Sequence, residues 1–105
     1  MDGKMKRGLL DLCVLAAIQK DESYGYKIIK DLRPVLELSE STLYTILKRL
    51  DAAQMLTVRS AEYDGRLRKY YRITDAGLRR MAEFRAEWEE VESIYQFVIR
   101  EDRHE

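Results

Sequence analysis

The sequence predicts a mainly α-helical chain with one small β-hairpin, and three observations predict it. Apolar residues recur at helical spacing in the first half of the chain and alternate with polar ones between Leu56 and Ile73. A tight-turn signal, Asp64-Gly65, divides the alternating stretch in two. Beyond it, apolar residues from Met81 to Val98 return at intervals of 3 and 4. At 105 residues, 46% of them hydrophobic, the chain is one domain whose small core gains from a partner.

The first helix is expected from Gly8 to Gln19. Leu9, Leu12, Cys13, Ala16 and Ala17 keep helical spacing there, and Leu10, Val14, Leu15 and Ile18 fill the other faces. A helix apolar all round belongs in a core or between chains. Asp21-Glu22-Ser23 offers a cap for a second helix from Tyr24 to about Arg33, closed by Pro34. Ser39 caps a third that runs through about Ala53. Its Leu43, Ile46, Leu47 and Leu50 repeat at i, i+3, i+4 and i+7 and so form a buried edge, opposite Ser41, Thr42, Tyr44, Thr45, Lys48 and Arg49.

Leu56, Val58 and Ser60 then read as one strand and Leu67, Lys69, Tyr71 and Ile73 as the inner face of the next. Arg66, Arg68, Tyr70 and Arg72 share the outer face, with Arg66 and Arg68 projecting from the tip. Thr74-Asp75 caps a final helix reaching about Arg100. Met81, Phe84, Trp88, Val91, Tyr95 and Val98 are spaced 3, 4, 3, 4, 3 along it, among Glu83, Glu87, Glu89, Glu90 and Glu92. So small a body cannot bury all of that stripe, so the helix pairs with its copy in a second chain, with Leu9 and Leu12 at the same interface. Two units are expected, 1–74 and 75–105.

Charge narrows the function. The net charge is zero, but residues 1–38 carry 7 Lys/Arg against 6 Asp/Glu, residues 39–74 carry 7 against 4, and residues 75–105 carry 5 against 9. Such segregation suits a basic face for a polyanion and an acidic segment held away from it. Catalysis is not expected, because the one histidine, His104, lies beside the C-terminus and no glycine-rich phosphate loop occurs. A single cysteine, Cys13, builds neither a disulfide nor a thiolate metal cage, so neither metal nor cofactor is expected. Asp11 interrupts the N-terminal apolar run and no segment approaches a membrane span, so the expected setting is the cytoplasm.

A short helix, a turn and a second helix with a polar outer edge form a helix-turn-helix, whose second helix enters the major groove of double-stranded DNA. Short hydroxyls near its start approach phosphates and base edges, and basic residues follow; Ser39, Ser41, Thr42, Tyr44, Thr45, Lys48 and Arg49 keep that order. Taken alone, the hairpin reads more readily as a sheet edge protected by charge. Directly after such a helix, its Arg66 and Arg68 make it the wing of one surface.

Three segments, YGYKI from Tyr24, STLYTILKRL from Ser41 and DGRLRKYYRITDAG from Asp64, resemble the PadR family of bacterial winged-helix transcriptional regulators over nearly the whole chain. The resemblance is to its compact branch, in which one C-terminal helix makes the dimer. It implies a homodimeric repressor with DNA contacts on the third helix as above, on Arg66, Arg68 and Lys69 of the wing, and on Tyr24, Lys6 and Arg7. It also implies a planar aromatic effector between the subunits, stacked on Trp88, with Val91, Glu92, Leu12, Leu15 and Met5 completing the wall. Gln54 stands where members carry a glycine before the wing, so it must take a strained or a different turn. A dimeric protein-interaction adaptor is the alternative from another class, and its binding would lack the salt dependence of DNA recognition.

Overall fold

In the computed structural model, which describes residues 1–100, four helices and one hairpin run in the order α1 (Gly3–Ala17), α2 (Gly25–Leu32), α3 (Glu40–Ala52), β1 (Leu56–Tyr63), β2 (Arg66–Ile73) and α4 (Asp75–Ile99). Expectations for His104 and the end of the chain fall outside the described residues.

Helix α1 begins five residues before the apolar run that announced it. Asp2 caps it, accepting a hydrogen bond from the Met5 amide at 2.8 Å, so Lys4, Lys6 and Arg7 are helical. Val14, Leu15 and Ile18 are completely covered, and with Ile28, Leu32, Leu43, Ile46, Leu47, Leu50, Leu56 and Tyr71 they form one core.

The expected cap of α2 is absent. Tyr24 takes the N-cap position without a side-chain hydrogen bond. Ser23 is extended instead, and its amide and carbonyl pair with those of Tyr71 at 3.0 and 2.8 Å, laying one residue along the free edge of β2. The sheet thereby gains a third contact where it meets the core. The Ser23 hydroxyl is buried without a partner among the described residues.

Helix α3 follows its pattern closely. Ser39 caps it through the Thr42 amide at 3.2 Å, and Leu43, Ile46, Leu47 and Leu50 are buried. It ends in a Schellman turn: the Gln54 amide bonds the Asp51 carbonyl and the Met55 amide the Leu50 carbonyl, each at 2.9 Å. The residue that turns the corner is Gln54, at φ 62°, in the left-handed region that favours glycine.

The hairpin closes through Asp64 and Gly65, at φ 56° and 81°, the positive pair a type I′ turn requires. That turn fixes the register, setting Leu56 opposite Ile73, Arg59 opposite Tyr70 and Ala61 opposite Arg68. One sheet face carries Leu56 and Tyr71 into the core, and the other carries Arg59, Arg68, Tyr70 and Arg72.

Thr74 caps α4 through the Gly77 amide at 3.2 Å and donates its hydroxyl to the Gln54 carbonyl at 2.7 Å. Its own amide bonds the Met55 carbonyl at 3.1 Å. A Cβ on Gly77 would stand 2.4 Å from that carbonyl oxygen and 2.6 Å from Ile73 Cγ1, so only glycine lets the helix start so close to the turn before the wing. From this anchor α4 leaves the body, and the molecule measures 65 × 26 × 24 Å. Along its outer half Trp88, Val91, Ile94, Tyr95, Phe97 and Val98 are 45–63% exposed. Ile94 and Phe97 widen the stripe beyond the seam the spacing identified. Met81 departs from the seam, packing against the core of its own chain.

Candidate nucleic-acid interface

The outer edge of α3 and the hairpin face each other across a cleft of about 440 Å³ lined by Tyr44, Lys48, Asp51, Val58, Lys69 and Tyr71. Each wall is set by local structure. Gly25 leaves no Cβ where the Tyr44 hydroxyl approaches; a Cβ there would lie 2.9 Å from it. Burial, and then the neighbouring Tyr44 and Asp51, push the Tyr71 phenol up, so it stays protonated at the cleft floor.

The hydroxyls at the start of α3 are already ordered. Ser39 Oγ donates to Thr42 Oγ1 at 3.0 Å, lies 3.3 Å from Ser41 Oγ, and accepts from the Thr42 amide. Thr45 donates to the Ser41 carbonyl at 3.0 Å. Ser39, Ser41, Thr42 and Tyr44 are exposed, as is Lys48 a turn further on. This arrangement offers acceptors, donors and a cation in sequence along a helix start, where the dipole favours an anion.

The expected cations are divided by the structure. Lys48, Arg66 and Lys69 are exposed around the cleft and the wing tip. Arg49 instead turns inward, its guanidinium paired with the Asp11 carboxylate of α1, half buried at the junction of the two helices. Arg68 does not project from the tip: it lies across the rings of Tyr24, Tyr63 and Tyr70. Lys6 lines a groove between α1 and α4, while Arg7 is exposed on α1. The sequence reasoning missed Glu22, which pairs with both Arg59 and Arg72; its carboxyl is held below the usual carboxylate range chiefly by the Arg59 hydrogen bond. The two-residue turn fixes the register that sets Arg59 opposite Tyr70, but no sequence signal places Glu22 beside them; the Ser23–Tyr71 bridge does so.

A second concavity, of about 510 Å³, lies between α1 and α4 and is lined by Met5, Leu9, Leu12, Phe84, Trp88 and Val91, with Arg80 and Glu87 at its edge. Phe84 stacks on Trp88 at 6.0 Å between centroids, extending the flat surface. Two expected wall residues are elsewhere. Leu15 is completely buried in the core, because it lies on the face of α1 turned to the other helices, and Glu92 is not at the groove but accepts from Gln96 at 3.0 Å. Glu87 supplies the carboxylate beside Trp88. Cys13 lines the adjoining apolar groove, and burial pushes its thiol up, which suits a packing role. Among the described residues no His/Cys/Asp/Glu cluster could hold a metal ion, and no helix is long and apolar enough to cross a membrane.

A short helix, a turn, a polar-edged second helix and a basic hairpin wing define a winged helix-turn-helix with a DNA-binding surface. Residues 14–83 match the model of the transcriptional regulator PadR-like family, and the chain belongs to that family. It is 33% identical over 89 residues to a transcriptional regulator of Mycobacterium tuberculosis, spanning 84% of this chain and 83% of that one. Among solved structures it resembles a PadR-like transcription factor from Bacteroides fragilis, with TM-score 0.83, 31% identity, and coverage of 90% of this chain and 94% of the other. A PadR family transcriptional regulator from Eggerthella lenta gives TM-score 0.78 at 30% identity, covering 90% and 86%. The mainly helical fold and the family expected from sequence are thus both found.

Proposed function

We propose that the protein is a homodimeric repressor that occupies a palindromic operator in the cytoplasm, residues 1–74 reading DNA and residues 75–105 pairing the chains. One observation carries the reading: Tyr44 and Lys48 of α3 and Lys69 of the wing converge on one cleft, while the apolar stripe of α4 leads away from it. A stripe that wide, exposed on a single chain, is covered most simply by the same stripe of a second copy. Two-fold pairing then sets two α3 helices into successive major grooves, roughly 34 Å apart. Repression needs no chemistry, since a bound dimer blocks the promoter by occupancy.

The effector part of the proposal rests on the groove between α1 and α4. Stacked Phe84 and Trp88 form an aromatic floor whose ring faces favour a planar compound carrying positive charge, with Glu87 at its edge 3.9 Å from Arg80. Such a ligand releases the operator if it prefers a spacing of the two heads that misfits the half-sites.

Selection from a randomised DNA pool tests the core of the proposal. A palindrome with half-sites about 10 base pairs apart is expected, with affinity falling steeply as salt rises. No enrichment, or enrichment that ignores salt, would instead fit an interaction adaptor. Titrating Trp88 fluorescence with planar aromatic cations tests the ligand, and a set that leaves the emission unchanged removes it from the proposal.

A further inference from the structure

The outer face of the wing carries a cluster that direct DNA contact does not use. Because Ser23 pairs with Tyr71, Glu22 and Tyr24 stand on the same side as Arg72 and Tyr70. There the guanidinium carbon of Arg68 lies 3.6 Å from the Tyr24 ring centroid, 3.8 Å from that of Tyr63 and 5.0 Å from that of Tyr70. Arg68 Nε also donates to the Tyr70 hydroxyl at 2.9 Å. Tyr24 meets Tyr70 edge-on at 5.9 Å, and Arg59, paired with Glu22, covers Tyr70 at 4.7 Å.

The three rings come from separate places. Tyr24 precedes α2 in the body, Tyr63 is the last residue of β1 at the wing tip, and Tyr70 lies in the middle of β2. Arg68 therefore joins tip to body. A two-stranded ribbon is marginal by itself; Leu56, Tyr71, the Ser23 bridge and the Glu22 ion pairs hold the lower part of this wing, whereas Leu67, near the tip, is 79% exposed. An arginine committed to three rings cannot reach a phosphate without leaving them. By contrast, among the described residues no ion pair or ring contact holds Arg66 or Lys69.

We infer that Arg68 is a positioning residue, a clamp that fastens the wing to the start of α2 and fixes its pitch so that Arg66 and Lys69 meet the DNA backbone. The inference rests on the reading that α3 and the wing bind DNA. It needs the flat, stacking guanidinium and not only a positive charge, so lysine cannot replace it.

The test uses the full chain and a duplex enriched from a randomised pool, with affinity read by fluorescence anisotropy over a range of KCl concentrations. Arg66→Ala should reduce the steepness of log affinity against log salt by about 0.9. Arg68→Ala and Arg68→Lys should each weaken binding about fivefold to tenfold and leave that steepness unchanged, because Arg66 and Lys69 still reach the phosphates in the complex and only the ordering of the wing before binding is lost. Tyr24→Leu should weaken it similarly, and combining it with Arg68→Lys should cost no more than either alone. The inference is overturned if Arg68→Lys binds as the parent does, or if Arg68→Ala reduces the steepness as Arg66→Ala does. Should Arg68→Ala not fold, Arg68→Lys carries the comparison. A parent that binds no duplex at all defeats the DNA reading itself; amide exchange in residues 60–67 then decides the clamp, faster exchange in Arg68→Lys supporting it and equal exchange refuting it.

Discussion

Replacing Gln54 by glycine should stabilise the protein. Gln54 is exposed and holds φ 62° at the corner between α3 and the wing. A residue with a Cβ in that region costs about 1–2 kcal/mol relative to ordinary helical backbone, and glycine escapes the cost. The contacts at the corner belong to the backbone: the Gln54 amide bonds the Asp51 carbonyl, and its carbonyl accepts from Thr74 Oγ1. All survive the change. Against the gain stands the greater freedom of glycine in the unfolded chain, about 0.5–1 kcal/mol. A net stabilisation of about 0.5–1 kcal/mol remains, or roughly 2–5 °C in Tm for a chain of this size. Thermal melts followed by circular dichroism should be compared at one protein concentration, because the proposed pairing of chains would make Tm depend on it. Gln54→Ala keeps the Cβ and should gain nothing. A glycine variant that melts no higher than the parent, or an alanine variant that gains equally, refutes strain as the cause.

Gly77→Ala should do the reverse, costing about 1–3 kcal/mol in a denaturant titration, because its Cβ would intrude on the Met55 carbonyl and Ile73. Ser23→Ala removes a buried hydroxyl that lacks a partner among the described residues, so stability should hold or rise by up to about 1 kcal/mol; a clear loss would reveal an unsuspected partner. Glu22, its carboxyl held low by Arg59, contributes stability that is fully present above the ordinary carboxylate pKa of about 4.3 and is lost as pH falls through its native value. The parent should therefore out-melt Glu22→Gln at neutral pH and converge with it in acid, and a gap that persists in acid contradicts the assignment.

Where periodicity and a cap agreed, the sequence was sufficient. Leu43, Ile46, Leu47 and Leu50 lie on one helical edge behind a capping serine, and the structure buries all four. Asp64-Gly65 likewise specifies its turn, since few other pairs accept positive φ twice. Apart from the start of α1, the failures share a physical cause: they depend on neighbours distant in sequence. Lys4, Lys6 and Arg7 hid the true start of α1 because its cap is a single polar residue ahead of a charged turn. Ser23 looked like a cap because serine serves either as a cap or as extended backbone, and the free edge of β2 decided between them. Arg68 looked available because alternation identifies a face without saying what covers it, and Tyr24 covers it from 44 residues away. Leu15 and Leu12 are three residues apart on one helix, yet one meets the core and the other the groove, which the all-round apolar pattern of α1 could not separate.

The glycine anchor of α4 bears on how such a protein could change its target. Because Gly77, Thr74 and the Gln54-Met55 turn lock the helix to the body, body and helix behave as a rigid arm. Its 25 residues extend about 37 Å. In the proposed dimer, tilting one arm by about 10° at the crossing of the two helices would carry its far end through about 6 Å, a sizeable fraction of the groove repeat. The gain of this lever is set by its length and by the stiffness of its joint, not by any residue that touches DNA. Substitutions along Trp88 to Val98 could then retune the operator spacing while leaving the reading surface unchanged.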